Sequence, residues 1–257
     1  MPLPAGFHVN TVLTQVAMAT RQKFYHCLIF ISLAAALSVV SGCGDTENLH
    51  YPLTPDRWWY YQAETTILDK PRQQRLLVSN LGEGEFEGKA VLIQRQSTGR
   101  ELYFRSTSEG LKRVAVRAEF GDIPVFAGAV TVLPSDLSRG EPWLVRSELQ
   151  LVESRTFARQ DRLRNFTFPV QLTMSISGHN EIIKVPAGRF DNCLRVDGIG
   201  QRIVPTDRGN AIAEVFVTHT DWYAPGVGLV KSVRAETTDS PFLKSGYFKQ
   251  EMLEFGL

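Results

Sequence analysis

The chain has 257 residues, and its 28 basic and 27 acidic side chains leave a net charge close to zero. This balance excludes the strongly basic surface that a phosphate backbone requires, so we expect no nucleic acid among the partners of the protein. Apolar residues make up 43% of the sequence and charged residues 21%, which is the composition of a globular domain and not of a disordered chain.

The first 42 residues have the three parts of a secretory signal peptide. Arg21 and Lys23 supply the positive charge, and an apolar run of 14 residues, Cys27–Val40, follows them. That run is too short to cross a bilayer comfortably and has the length of a signal-peptide core. The small residues Ser41 and Gly42 then precede Cys43, a pattern that resembles the lipobox of bacterial lipoproteins. We therefore predict cleavage before Cys43 and acylation of its thiol; the alternative is an ordinary signal peptide that ends near a cysteine.

Acyl chains such as palmitate on Cys43 would attach the protein to a membrane, because each buried CH₂ contributes about 0.8 kcal/mol. In enterobacterial lipoproteins an aspartate after the lipidated cysteine implies retention in the inner membrane. This chain has Gly44 there and Asp45 one place later, which favours the outer membrane, facing the periplasm, and leaves the inner membrane as the alternative. Translation starts either at Met1 or at Met18, where a more ordinary leader begins.

Residues 43–50 are predicted to be the lipidated cysteine and a polar tether, and residues 51–257 one antiparallel β domain. Short runs of β-favouring residues recur every 8–12 positions, with turn residues between them, which is typical of a sandwich or barrel. Glycine-rich turns are predicted at Leu81–Gly84 and Ser97–Gly99. The charged run Arg155–Arg164 is interpreted as a solvated loop. The fold class is therefore all-β: a single, strongly curved antiparallel sheet or open barrel of about ten strands.

Cys193 is the one cysteine of the predicted domain, so the domain cannot form an internal disulfide. Strict strand alternation would place Cys193 on the face with Asp191 and Arg195, while its residue type favours burial. We expect a buried and unreactive thiol, because no histidine is close in sequence.

Two motifs in the last third of the chain are similar to those of a group of bacterial envelope lipoproteins for which no activity is established. The first is Val185–Val196, which begins Val-Pro-Ala-Gly, and the second is Asp221–Lys231, which contains Trp-Tyr-Ala-Pro-Gly-Val-Gly. Tyr51–Leu53 matches the Tyr-Pro-Leu entry of the same group. The resemblance implies a curved antiparallel sheet in the periplasm and transfers no catalytic residues. The residues themselves predict a tight Pro225-Gly226 turn beside aromatic residues that pack.

The sequence contains none of the usual catalytic or metal-binding constellations. His179 and His219 are not at metal-ligand spacing, and no nucleophile elbow or phosphate loop is present. We therefore expect no enzymatic activity, no metal and no cofactor.

Two hypotheses from different classes of function remain. In the first, the concave face of the sheet binds a hydrophobic or envelope-derived ligand, such as a lipid or a peptidoglycan fragment. In the second, the domain is a structural or assembly lipoprotein that contacts another envelope protein. The first hypothesis is favoured slightly, and it assigns ligand binding to four large aromatic residues: Trp58, Trp59, Phe168 and Trp222.

Overall fold

The structure is a computed structural model in which residues 47–257 form one compact unit. It describes residues 49–256 except 120, 122, 126–127, 139, 153–167 and 207–210. The predicted signal peptide, Cys43 and the Arg155–Arg164 loop lie outside the described residues. Among the described residues, no helix has the length and apolar character needed to cross a membrane.

The described residues form twelve strands and no helix, as the alternating sequence pattern predicts. Their bounds are β1 Trp58–Ile67, β2 Lys70–Phe86, β3 Lys89–Gln96, β4 Glu101–Thr107, β5 Gly110–Arg117, β6 Val130–Pro134, β7 Trp143–Leu149, β8 Phe168–Val185, β9 Gly188–Pro205, β10 Ile212–Ala224, β11 Gly228–Thr237 and β12 Gly246–Gly256.

All twelve strands belong to one antiparallel sheet in the order β6-β5-β4-β3-β2-β1-β12-β11-β10-β9-β8-β7. Strands that are consecutive in sequence pair with each other, except β6 and β7, and β1 also pairs with β12. The two edges, β6 and β7, face each other, and the Trp143 indole donates a 3.2 Å hydrogen bond to the Thr131 carbonyl across them. The sheet is therefore nearly closed and barrel-like. This confirms the predicted fold class, with twelve strands where about ten were expected.

The predicted glycine-rich turn at Leu81–Gly84 is wrong, because β2 continues through it to Phe86. Gly82 has a φ of +95° and lies at a register shift, so it forms a bulge that bends the strand. The turn follows later at Glu87-Gly88, where both residues have positive φ. The glycines of this segment thus curve the sheet and do not end the strand.

The hairpin of β8 and β9 carries the first motif and reaches across the sheet to β12. At its tip the Ala187 amide donates a 2.9 Å hydrogen bond to the Met252 carbonyl. Near the tip the Phe190 ring packs 5.8 Å from the Phe255 ring. Cys193 follows Asn192, whose φ of +58° marks an irregularity in the pairing of β8 and β9.

Cys193 has no exposed surface, which confirms the burial expected from its residue type. Strict alternation would have placed Cys193 on the same face as Asp191, which is exposed. The irregularity at Asn192, between these two residues, breaks the alternation. Burial also raises the pKa of the Cys193 thiol to about 11, so the thiolate needed for reactivity is scarce at neutral pH.

The inner face of β8, β9 and β10 is packed with aliphatic side chains, and we call this region the aliphatic half. Gly198 and Gly200 of β9 let the facing side chains approach the backbone, since a Cβ atom on Gly198 would lie 2.3 Å from the Met174 sulfur. The other buried side chains of the aliphatic half include Leu172, Val196, Val215 and Val217.

Candidate functional site

The candidate site begins where the chain enters the sheet. Residues 51–55 cross one end of the barrel-like sheet, and the Leu53 side chain is 5% exposed among the inner residues of β4 and β5. The Asn80 side-chain amide fixes this segment by donating hydrogen bonds to the carbonyls of Pro52 (3.2 Å) and Thr54 (2.9 Å). The entry segment therefore forms a wall of the interior.

A half-open cavity of about 210 Å³ lies against this segment. Sites for drug-sized ligands usually measure about 300–1,000 Å³, so this cavity is suited to a group no larger than a single ring or a short chain. It is lined by Tyr51, Pro52, Trp59, Tyr61, Leu76, Val78, Gln94, Gln96, Leu102, Gly228, Leu229 and Gln250. We call the region of β1–β4, β11 and β12 that supplies these residues the cavity half.

The polar tips of two aromatic lining residues are occupied by backbone carbonyls. The Trp59 indole nitrogen donates a 2.6 Å hydrogen bond to the carbonyl of Val227, and the Tyr61 hydroxyl donates a 2.9 Å bond to that of Leu229. Burial raises the pKa of the Tyr61 phenol well above its ordinary value, so this group stays a donor. Both side chains therefore offer the cavity their apolar rings.

The three glutamines of the lining differ in how their amides are used. Gln94 accepts a 3.3 Å hydrogen bond from the Tyr51 hydroxyl and donates a 3.1 Å bond to the Asn80 side chain. The side-chain amides of Gln96 and Gln250 make no hydrogen bond to any residue that the structure describes. Each of these two amides can both donate and accept, so they are the polar groups available to a ligand.

A second polar cluster lies on β10. The His219 Nε2 atom lies 3.0 Å from the Asp221 Oδ2 atom, and the Tyr223 hydroxyl donates a 3.0 Å hydrogen bond to the same oxygen. Burial alone raises the pKa of Asp221, but His219, Ser232 and Tyr223 together bring it below its ordinary value. Burial lowers the pKa of His219, yet Asp221 raises it overall. The pair is therefore a buried ion pair when His219 is protonated.

This cluster belongs to the wall and not to the lining of the cavity. Asp221 lies opposite Ser232, which lies opposite the lining residue Gln250. The His219 Nδ1 and Asp221 Oδ1 atoms are buried and have no hydrogen-bond partner among the described residues. No group of three or more His, Cys, Asp or Glu residues in the described ranges is placed to hold a metal ion.

The structure separates the four aromatic residues that the sequence analysis selected. Trp59 lines the cavity. Trp58 instead covers Gly256, since a Cβ atom there would lie 2.2 Å from the indole nitrogen. Phe168 begins β8 and packs against the aliphatic half. Ligand binding stays a prediction, and of the four residues Trp59 is the one in contact with the cavity.

Trp222 points to the face of β10 opposite Asp221 and Tyr223. Its indole nitrogen donates a 2.8 Å hydrogen bond to Glu181, and the cationic groups of Arg195 and Lys231 lie 5.8 and 5.7 Å from its ring. These contacts fasten the β8–β9 hairpin to the sheet. Trp222 therefore has a packing role.

The turn predicted at Pro225-Gly226 is present directly after β10, and Gly226 has a φ of +72°.

Sequence reasoning missed most of the cavity lining. Tyr61 could have been found, because it lies two residues after Trp59 and thus on the same face of β1. Gln94 lies on a strand whose alternation does not show which of its two faces is the interior. Gln250 had no signal, since its lining position depends on the pairing of β12 with β1.

The fold and site define a class: an up-and-down antiparallel sheet, nearly closed around a small uncharged cavity. No protein-family model matches the chain. No curated protein matches it either. Two solved structures are distantly similar, and each covers 81% of this chain.

One of the two structures is a candidate exported protein with a YmcC-like fold from Bacteroides fragilis, with 11% identity, 99% of its own length covered and a TM-score of 0.38. The other is a candidate lipoprotein from Parabacteroides distasonis, with 14% identity, 98% of its length covered and a TM-score of 0.33. Likenesses this distant carry no conclusion about the function of this chain.

Proposed function

We propose that the chain is a lipoprotein of the bacterial cell envelope, held by acyl chains on Cys43 and facing the periplasm from the outer membrane, whose β domain binds a small envelope-derived ligand. The observation that carries the binding function is the cavity of about 210 Å³ with aromatic walls and two available amides. Its small volume argues against a carrier that encloses a whole lipid. The proposal assigns no catalytic role to the domain.

The anchor is tested by growing cells with labelled palmitate. Cys43→Ser should abolish both the label and the attachment to membranes, because the acylated atom is the Cys43 sulfur. Retention of the label in this variant would contradict the proposed anchor. Fractionation of the labelled membranes decides between the outer and inner membrane.

The ligand is tested by native mass spectrometry of the mature lipidated protein, released from its own membranes in detergent. We expect a bound molecule whose occupancy falls in Leu76→Phe, which enlarges a side chain of the cavity lining. Leu77→Phe is the matched control, because Leu77 is 40% exposed and lies outside the lining. An empty wild-type protein, or equal occupancy in both variants, would contradict ligand binding in the cavity.

A structural or assembly role is the second candidate, and one surface favours it. Five large apolar side chains are exposed on the outer face of β7, β9 and β10: Leu144, Ile199, Ile203, Ile212 and Phe216. An apolar outer face of this kind is typical of protein contacts. In-cell cross-linking should show adducts that Ile199→Ser removes and that persist with Ile182→Ser, a change of another exposed isoleucine outside this surface. Adducts that Ile199→Ser leaves unchanged would contradict this role.

A further inference from the structure

The lining of the cavity contains no charged side chain among its twelve residues. A charged ligand group would lose hydration on entry and would contact no opposite charge in the lining, which is costly. Asp221, which acts electrostatically on Tyr51 and Tyr61 of the lining, is already engaged by His219 and Tyr223. The lining therefore selects for neutral groups.

The two available amides and most of the apolar lining occupy different places. Pro52, Trp59 and Gly228 are buried where the entry segment closes the cavity, while Gln96 and Gln250 are partly exposed. A ligand therefore meets mainly apolar surface on its inner side, where the buried Gln94 amide is already bonded, and two available amides on its outer side. A saturated ring with hydroxyl or amide substituents has both kinds of surface, because its C–H groups pack on aromatic rings and its substituents hydrogen-bond.

We propose that the ligand is a neutral, ring-sized molecule bearing hydroxyl or amide groups, of the saccharide kind, recognised by the rings of Trp59 and Tyr61 and by the free amides of Gln96 and Gln250. This inference rests on the proposed binding function and names its ligand class. It disfavours acyl chains, which would form no hydrogen bond with either amide, and anionic groups, which the uncharged lining does not compensate.

The test measures binding of three ring-sized probes to the full mature lipidated protein in detergent by calorimetry and ligand-observed NMR. Methyl β-glucoside is neutral and hydroxylated, methyl β-glucuronide has the same ring with a carboxylate, and cyclohexanol is nearly apolar. We expect the glucoside to bind, with the glucuronide at least about ten-fold weaker because its charge is desolvated without a partner. Arg113 lies outside the lining but acts electrostatically on Tyr51. The affinity of the glucuronide relative to the glucoside therefore tests whether this cation compensates a carboxylate in the cavity.

The amides are tested by Gln96→Leu and Gln250→Leu, which keep the approximate size of the side chain and remove its hydrogen bonds. Each change should weaken glucoside binding about three- to ten-fold, the range of one hydrogen bond. Gln73→Leu is the control, because Gln73 is exposed on β2 outside the lining.

The outcomes separate this inference from the proposed function. Binding of cyclohexanol that Leu76→Phe abolishes, without binding of the glucoside, would overturn the ligand class and leave a binding cavity. Equal affinity for the glucuronide, or glucoside binding that ignores both glutamine changes, would also overturn the ligand class. Failure of all three probes, together with an empty protein in mass spectrometry, would overturn both.

Discussion

The aliphatic half and the cavity half belong to one sheet but fill the interior in different ways. In the aliphatic half, glycines on β9 let Leu172 and Met174 pack directly against the backbone. In the cavity half, aromatic rings are held at their polar tips by backbone carbonyls and cannot move inward to fill the remaining space. The walls of the cavity are thus held by directional hydrogen bonds, whereas the described side chains of the aliphatic half are held by close packing.

The largest expected effect on stability comes from a change of the buried carboxylate of Glu236, near the end of β11. Glu236 is 0% exposed, accepts hydrogen bonds from the backbone amides of Gln150, Leu151 and Val152, and pairs with Arg234. Glu236→Ala leaves these donors unpaired and should lower the free energy of unfolding by about 3–5 kcal/mol. Denaturant unfolding measures the loss, and Glu254→Ala, an exposed position on β12, should change little. Similar losses in both variants would contradict this account.

A matched pair of leucines compares the two halves directly. Leu172 is 3% exposed and lies against Gly200, which has no side chain to fill a gap, so Leu172→Ala should cost about 2–5 kcal/mol. Leu76 already borders a cavity and is partly exposed, so Leu76→Ala should cost less than about 1.5 kcal/mol. Equal losses in denaturant unfolding would mean that the two halves are packed alike.

These contrasts show how far the sequence predicts the molecule. Alternation predicts the all-β class and turn chemistry predicts the Pro225-Gly226 turn, because both depend on local patterns. The burial of Cys193 follows from its residue type, and alternation alone would have misplaced it, because the irregularity at Asn192 is not visible in the sequence. The cavity depends on which strands meet. Gln96 and Gln250 are far apart in sequence, and the pairing of β1 with both β2 and β12 brings their strands around one space. The prediction of a turn at Leu81–Gly84 failed for a related reason. A glycine such as Gly82 forms a bulge where a partner strand continues beside it and a turn where none does, and the sequence does not show which applies.

A change of Trp222 should affect the stability of the domain and leave ligand binding unchanged. Trp222→Phe removes its 2.8 Å hydrogen bond to Glu181 and should lower the free energy of unfolding by about 0.5–1.5 kcal/mol, because that donor is only partly buried. It should leave ligand occupancy in mass spectrometry unchanged, since Trp222 does not line the cavity. A loss of bound ligand would show that the β8–β9 hairpin takes part in binding.

The smallest effect is a pH dependence at the border between the halves. The folded-state pKa of His219 is raised above 6.5, so the stability from its pairing with Asp221 is present below pH 6.5 and is lost as pH rises through the folded pKa. The pKa of Asp221 is lowered from 3.8, so its contribution is present above pH 3.8 and is lost as pH falls through the folded value.

Stability measured against pH should therefore decline above pH 6.5 in the wild type and decline less in His219→Gln. Groups that face His219 are Asp221, Arg234 and Asp197, and the first of these dominates among the charges. An unchanged slope in His219→Gln would assign the pH dependence to another group.

The strand order also has a consequence for how the chain folds. Strands β1–β6 and β7–β12 each form a run of local hairpins, and the pairing of β1 with β12 is what joins the two runs. Local hairpins close short loops, whereas that pairing must close a loop of nearly the whole domain at a higher entropic cost. We therefore expect strands β1–β6 and strands β7–β12 to form two intermediates early in folding, and β1 to pair with β12 in a later step. Because Trp59 and Gln250 lie on those two strands, the ligand site would be the last part of the protein to mature.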